Sequence, residues 1–428
     1  VAATVATPVH GCYFTNWAVY RPEPYKFPSS KIPVGLCTHV FYAFAAIDAA
    51  TFQARLTDEW SDIGLGNMND LNVGLRGQQP GLKTILSFGG YTESQTGIYA
   101  TMAADPTKRA TFVQSAWQLA NDNGFDGIDI DWEYPDANSK EDYTTLFQDL
   151  RAASGGKLLT AAVSAGTDTI NAGYDAAALG GILDFMTVMA YDFHGPWEMT
   201  IGQASSYSET QAAMALWTSN GMPASKLLMG IAAYGHGWVA GDCTPGVTAS
   251  AVSPAQTITQ AAGTASFFEI EAMGGTVIET DDGPYLKTTQ NGQNLCFSYE
   301  DADSTTKKMQ LIKSVGYGGA FSWTVDYDDS SFTILNAMMN GLGGGPNPPP
   351  PPPPPPATTG APAPPPSATT AKPAPAPTTG ASGTCNTGDM RADPDPTKYD
   401  ECVYGTWVVM SCGPGTVFDP TTNTCGFP

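Results

Sequence analysis

The sequence predicts an α/β protein: a (β/α)8 TIM barrel with a small α+β insertion domain between strands 7 and 8. A small, disulfide-stapled, β-rich module is expected at the C-terminal end. Three observations carry this reading. Short apolar runs recur with turn residues after them, helix-like stretches separate several of these runs, and a proline-rich segment cuts off a cysteine-dense tail.

The runs Val9–Phe14, His39–Ala46, Lys83–Phe88, Phe125–Asp131, Leu158–Ser164, Phe185–Ala190, Leu227–Ala232 and Gly318–Trp323 each read as a buried strand. Pro106–Asn121, Lys140–Ala153 and Ser208–Ser219 read as helices between them. Strands alternating with helices in this number favour a closed barrel. The competing doubly wound sheet lacks a G-x-G-x-x-G after the first strand. The last two strands are separated by an unusually long stretch, residues 237–303, rich in Thr, Gly and aromatics. A loop of that length needs structure of its own. It reads as the insertion, closed by a Cys243–Cys296 disulfide and standing beside the C-terminal mouth of the barrel.

The expected domains are a barrel over 1–345, a Pro/Thr-rich linker over 346–383 and a module over 384–428. The linker contains an unbroken proline run from Pro348 to Pro356 and has no apolar side chains to form a core, so it favours polyproline II. Its Thr clusters are candidates for O-linked glycans. Four of the eight cysteines, Cys385, Cys402, Cys412 and Cys425, crowd the tail. A segment that short needs staples, and the alternative of zinc has no C-x₂-C pair and no nearby His. Cys12 and Cys37 complete the cysteines expected in disulfides. No metal and no cofactor is expected.

The formal net charge of −22 repels phosphate backbones and anionic lipid, so neither nucleic acid nor a membrane is an expected partner. A neutral ligand held by stacking and hydrogen bonds fits better. The chain begins Val1-Ala2-Ala3 without an initiator Met, which fits removal of a signal peptide and equally fits a shortened chain. The even cysteine count tips the expectation toward a secreted, extracellular protein, and a monomer is expected.

The chemistry concentrates on Ile128-Asp129-Ile130-Asp131-Trp132-Glu133. Side chains alternate faces along a strand, so Asp129, Asp131 and Glu133 form one inward column with same-face spacing of about 6.6 Å. Carboxylates packed this way cannot all ionise cheaply, and at least one pKa is raised. A protonated carboxylic acid near neutrality is what protonation of a glycosidic oxygen requires. An acidic solvated strand and a hard-metal cage are the competing explanations of the same pattern.

Asp126-Gly-Ile-Asp129-Ile-Asp131-Trp-Glu133 resembles the D-x-x-D-x-D-x-E signature of family 18 glycoside hydrolases, the chitinases. Cys12-Tyr-Phe-Thr-Asn-Trp17, Phe41-Tyr-Ala-Phe44, Ser87-Phe-Gly-Gly90, Met189-Ala-Tyr-Asp-Phe-His-Gly-Pro-Trp197 and Gly318-Gly-Ala-Phe-Ser-Trp323 resemble animal chitinases in order and spacing. The resemblance implies Glu133 as general acid and then base, Asp131 as the group orienting the substrate N-acetyl, and Asp129 as its proton-sharing neighbour. Tyr191 would bond the acetamido carbonyl and Asp192 the same sugar. The nucleophile would be the substrate's own acetamido oxygen, giving retention of configuration. Trp323 would form the floor under the distorted sugar. Tyr13, Trp17, Phe44, Tyr91, Met189, Trp197 and Tyr234 complete the expected substrate-binding set, chiefly aromatic faces suited to sugar C–H faces. Tyr91 stands where many relatives carry Trp, and His236 where many carry Arg.

The tail resembles peritrophin-A-type chitin-binding modules, with two of the usual six cysteines missing. The resemblance implies Cys385–Cys402 and Cys412–Cys425 pairs, while spacing alone leaves three pairings open. Tyr404 and Trp407, with Tyr399 beside them, are the expected sugar-stacking residues, or else the module's small core. The implied partners are chitin and N-acetylglucosamine oligomers. Two rivals are a chitinase-like lectin that binds glycans without cleavage and a family 18 endoglycosidase acting on glycoprotein N-glycans.

Overall fold

The computed structural model describes residues 8–343 and, in the tail, 390–392, 398–403, 406–411, 417–419 and 424–426. The chain separates into two compact units, Val1–Pro353 and Pro354–Pro428.

In the first unit eight parallel strands close on themselves: β1 (Val9–Thr15), β2 (His39–Ile47), β3 (Lys83–Gly89), β4 (Gly127–Asp131), β5 (Leu158–Ser164), β6 (Phe185–Met189), β7 (Leu227–Ala232) and β8 (Gly319–Trp323). The ring is closed by β8 pairing with β1, Val9 opposite Gly319, and by β1 pairing with β2, Gly11 opposite His39. All eight expected strands are present. The fourth starts at Gly127 rather than Phe125 and ends at Asp131, two residues short of Glu133.

Alternation sorts the side chains into two cores. Outward-facing Phe14, Tyr42, Phe88, Ile128, Ile130 and Trp132 pack in the layer between strands and helices. Inward-facing Tyr13, Phe41, Ile85, Phe185, Leu228 and Phe321 fill the barrel. The helices form where expected, over Pro106–Asp122, Lys140–Ala153 and Tyr207–Ser219. The first is started by Asp105, whose carboxylate accepts from the amides of Thr107 and Lys108, with proline at the first helical position. That combination satisfies orphan amides and presets φ.

Between β7 and β8 lies the insertion, an antiparallel sheet spanning Tyr234–Ser298 with the helix Phe267–Met273. It begins at Tyr234, three residues before the expected start at Gly237, because the chain passes from β7 into the insertion sheet after only Ala233. Cys243 and Cys296 are bonded and sit with Trp238 and Tyr285 in its own core. Cys12 and Cys37 form a second disulfide. Among the described residues no helix is long and apolar enough to cross a membrane.

The second unit is β-rich, as expected. Met390–Ala392, Lys398–Val403 and Thr406–Ser411 form an antiparallel sheet, and Val417–Asp419 pairs with Thr424–Gly426. Cys402 lies opposite Trp407 in the register. Cys385, Cys412, Tyr404 and the linker lie outside the described residues, as do the side chains of Tyr399, Cys402, Trp407 and Cys425.

The insertion disulfide spans 53 residues. Chain-entropy arguments put the stabilisation from a loop of that length at about 4 kcal/mol. The double variant Cys243→Ser/Cys296→Ser is expected to lose unfolding free energy of that order, read from urea melts, and an unchanged midpoint would contradict the role assigned to the bond.

Candidate active site

Glu133 stands just past the C-terminal end of β4, at the barrel mouth where β-strand ends and βα loops supply functional groups. A cleft of about 1240 Å³ opens there. Its lining includes Asp131, Glu133, Met189, Tyr191, Asp192 and Tyr234, with Trp17, Phe44, Tyr91 and Trp323 supplying aromatic surface.

Beneath the cleft the carboxylate column is secured from several strands. Asp129 is fully buried and accepts from the Tyr13 hydroxyl at 2.9 Å, the Ser87 hydroxyl at 2.7 Å and the Thr160 hydroxyl at 2.7 Å. Burial raises its pKa and these three hydroxyls oppose the rise. Asp131 is buried without such support. Its carboxyl is pushed well above the usual range, first by burial and then by the charges of Glu133 and Asp129. Glu133 is raised to about 7, chiefly by burial, with the Asp192 charge adding and a hydrogen bond from Tyr134 opposing. The column therefore holds a proton near neutrality, as alternation and like-charge crowding predict.

Two polar atoms among the cleft residues are buried and lack any protein partner: Asp131 Oδ1 and the Tyr191 hydroxyl. A buried polar atom without a partner costs free energy, and a ligand that supplies the partner recovers it. Asp192 adopts a left-handed backbone, φ 60°. Its Oδ1 accepts from the Tyr234 hydroxyl at 2.6 Å and lies 2.8 Å from His236 Nε2. The peptide bonds Ala43–Phe44, Glu133–Tyr134 and Trp323–Thr324 are cis.

Two expected sugar contacts fall elsewhere. Tyr13 points inward from β1 as expected, yet it is 1% exposed, stacked on Phe41 and bonded to Asp129, so it supports the column rather than the cleft. Trp197 is 61% exposed and lies outside the cleft lining, with its ring 5.3 Å from His236 on the insertion side. Sequence reasoning missed Tyr134, which lines the cleft. Strict alternation would have turned it outward, but the strand has already ended at Asp131. It also missed Ser87 and Thr160, hydroxyls on neighbouring strands that no local motif marks as partners of Asp129.

Residues 10–328 match the family model Glycosyl hydrolases family 18, and residues 383–428 match Chitin binding Peritrophin-A domain. The chain belongs to glycosyl hydrolase family 18. An endochitinase of Brugia malayi is 36% identical over 378 residues, covering 78% of this chain and 73% of that protein. The crystal structure of an immunomodulatory active chitinase from Trichuris suis is similar with a TM-score of 0.73 at 35% identity, covering 78% of this chain and 100% of that one. Human YKL-39, a pseudo-chitinase with retained chitooligosaccharide binding properties, is similar at a TM-score of 0.71 and 30% identity, covering 78% and 100%. Within the family this chain is an animal-type chitinase with a C-terminal chitin-binding domain of the peritrophin-A type.

A raised pKa keeps Glu133 protonated up to about pH 7, so acid chemistry by this group is present below that value and lost as pH rises through it. Because the Asp192 charge contributes to the rise, Asp192→Asn is expected to move the alkaline limb of kcat/KM on a soluble N-acetylglucosamine oligomer to lower pH. A limb that stays in place or moves upward would contradict the assignment.

Proposed function

We propose that this protein is a secreted chitinase that hydrolyses the β-1,4 bonds of chitin by substrate-assisted, configuration-retaining catalysis, using its C-terminal domain to hold insoluble polymer. The observation that carries the mechanism is the pair of unpartnered buried atoms, Asp131 Oδ1 and the Tyr191 hydroxyl, in the cleft that holds a protonatable Glu133.

An acetamido group complements that pair. Its N–H donates to Asp131, and its carbonyl oxygen accepts from Tyr191. Held so, the carbonyl oxygen attacks C1 while Glu133 gives its proton to the leaving glycosidic oxygen, and the C1–O bond breaks. The resulting oxazolinium is positively charged and is stabilised by the Asp131 carboxyl as its proton shifts toward Asp129. Glu133, now a carboxylate, takes a proton from water, and the hydroxide so formed attacks C1 and opens the ring. Two displacements at one carbon retain the anomeric configuration, and no second enzyme carboxylate at nucleophile distance is needed. Phe44 and Trp323, whose rings lie 5.7 Å apart and stacked, offer an apolar floor for the sugar.

The human relative is a pseudo-chitinase that retains oligosaccharide binding, so fold alone does not separate cleavage from binding. The presence of Glu133, with its raised pKa, supports cleavage here. Secretion is supported by the two disulfides of the first unit and by the match to a chitin-binding domain.

Glu133→Gln is expected to lower kcat on chitin oligomers by about 10²-fold or more, and wild-type protein is expected to release β-anomers first, read by NMR. Inverted initial products would exclude the substrate-assisted route. Deleting residues 384–428 is expected to weaken retention on insoluble chitin while leaving soluble oligomer cleavage within about twofold; a parallel loss of both would contradict the division of labour.

A further inference from the structure

Glu133 has left the strand that carries its partners. The parallel ladder between β3 and β4 ends with Gly89 opposite Asp131. Beyond that point the backbone has no sheet to fix it, yet Glu133 must present its carboxyl with sub-ångström accuracy to act on a glycosidic oxygen.

We propose that Ser94 and Gln95 are the positioning residues that replace the missing ladder and hold Glu133 in place. The Glu133 amide donates to Ser94 Oγ at 2.9 Å, and Gln95 Nε2 donates to the Glu133 carbonyl at 3.1 Å. Both backbone polar groups of the acid are therefore taken by adjacent side chains of one turn. Ser94 Oγ also lies 3.4 Å from the Asp131 carbonyl, which accepts from the Gly90 amide at 2.9 Å. One hydroxyl accepts from one residue of the column and donates toward another, a double role open to Ser or Thr and closed to Ala.

The turn that carries these groups is itself anchored. Glu93 Oε1 accepts from the Ile47 amide of β2 at 2.7 Å, and Glu93 Oε2 from the Tyr99 hydroxyl at 3.0 Å. The Ser94 amide returns to the Gly90 carbonyl at 3.1 Å. Gly90 sits at φ 85°, and a Cβ there would lie 2.6 Å from the Phe44 ring. The path from β2 through Glu93 and Ser94 to Glu133 thus runs through directed hydrogen bonds on a backbone that only glycine allows to approach so closely. Ser94 is buried, whereas Gln95 is exposed.

The inference rests on Glu133 as the acid, and the test separates the two. Full-length Ser94→Ala, Ser94→Thr and Gln95→Ala are assayed on soluble N-acetylglucosamine tetramer beside wild type and Glu133→Gln. Ser94→Ala is expected to lower kcat by about 10²-fold, the cost of a misplaced catalytic group, with KM within about twofold. Ser94→Thr is expected to restore most of the rate, and Gln95→Ala to lower kcat several-fold without moving the thermal midpoint. Tetramer affinity in the Glu133→Gln background should be unchanged by adding Ser94→Ala. If Ser94→Ala does not fold, Gln95→Ala and Ser94→Thr decide alone. An unchanged kcat in Gln95→Ala together with a Ser94→Thr no better than Ser94→Ala, or no better than an unfolded Ser94→Ala, overturns the proposal. So does a Ser94→Ala whose kcat stays within twofold of wild type. An active Glu133→Gln would overturn the mechanism itself, whatever these variants do.

Discussion

The rest of the site depends on one buried carboxylate. Asp129 sits inside the barrel, where burying a charge is costly unless hydrogen bonds meet it. They come from β1, β3 and β5 as Tyr13, Ser87 and Thr160, and Thr187 on β6 lies 3.1 Å from the Tyr13 hydroxyl. Sequence-distant strands are thereby committed to one polar point in an otherwise apolar interior. Asp131 above it has no donor for Oδ1 and stays difficult to ionise, through burial first and the charges of Glu133 and Asp129 next. Glu133, higher still and closer to solvent, is the carboxyl of the column whose pKa falls near neutrality. Three like side chains are thus set apart by burial together with the different donors and charges that each one meets.

That depth ordering is legible in the amino-acid sequence. Alternation along Asp129, Asp131 and Glu133 places the acids on one face and the bulky Ile128, Ile130 and Trp132 on the other, where they pack with the helices. The eight strands are legible for a related reason, since buried parallel strands read as short continuous apolar runs. What alternation does not show is where the strand stops. Glu133 lies beyond the end of β4, so its orientation and that of Tyr134 depend on contacts made after the ladder ends. Tyr13 illustrates the opposite error: an aromatic near a strand end looks like a sugar contact, but its hydroxyl is taken by a buried carboxylate on a strand three places along the sheet.

Long-range partnerships of single polar residues leave no periodic trace. Ser87 sits within the Ser87-Phe-Gly-Gly90 motif, yet its bond to Asp129 follows only from the register of β3 against β4, which sets these two residues opposite one another. Thr160 is opposite Asp129 on the other side, in the β4–β5 register. Given the sheet order both are predictable, and without it neither is. The tail differs in kind: its cysteine spacing and aromatic content suggest a small β-rich module, and the strands found there agree with that much.

The insertion contributes more than a wall to the cleft. Its first strand, Tyr234–Val239, places Tyr234 and His236 on one face by the two-residue repeat, and both reach Asp192 Oδ1. On the far side His236 Nδ1 lies 3.2 Å from both the Gly263 carbonyl and Thr264 Oγ1, so its ring is fixed by the paired strand Thr264–Ser266. The Asp192 carboxyl is thus held by the insertion sheet, while its charge is one of the groups raising the pKa of Glu133. The Asp192 side chain is half exposed, so the two bonds from the insertion fix where its charge sits rather than shield it from water. The antiparallel sheet, remote from β4 in sequence, therefore acts on the proton affinity of the proposed acid through a single side chain. An arginine at position 236 would offer Asp192 a planar fork of donors, whereas the imidazole reaches Asp192 through Nε2 and keeps Nδ1 for the paired strand.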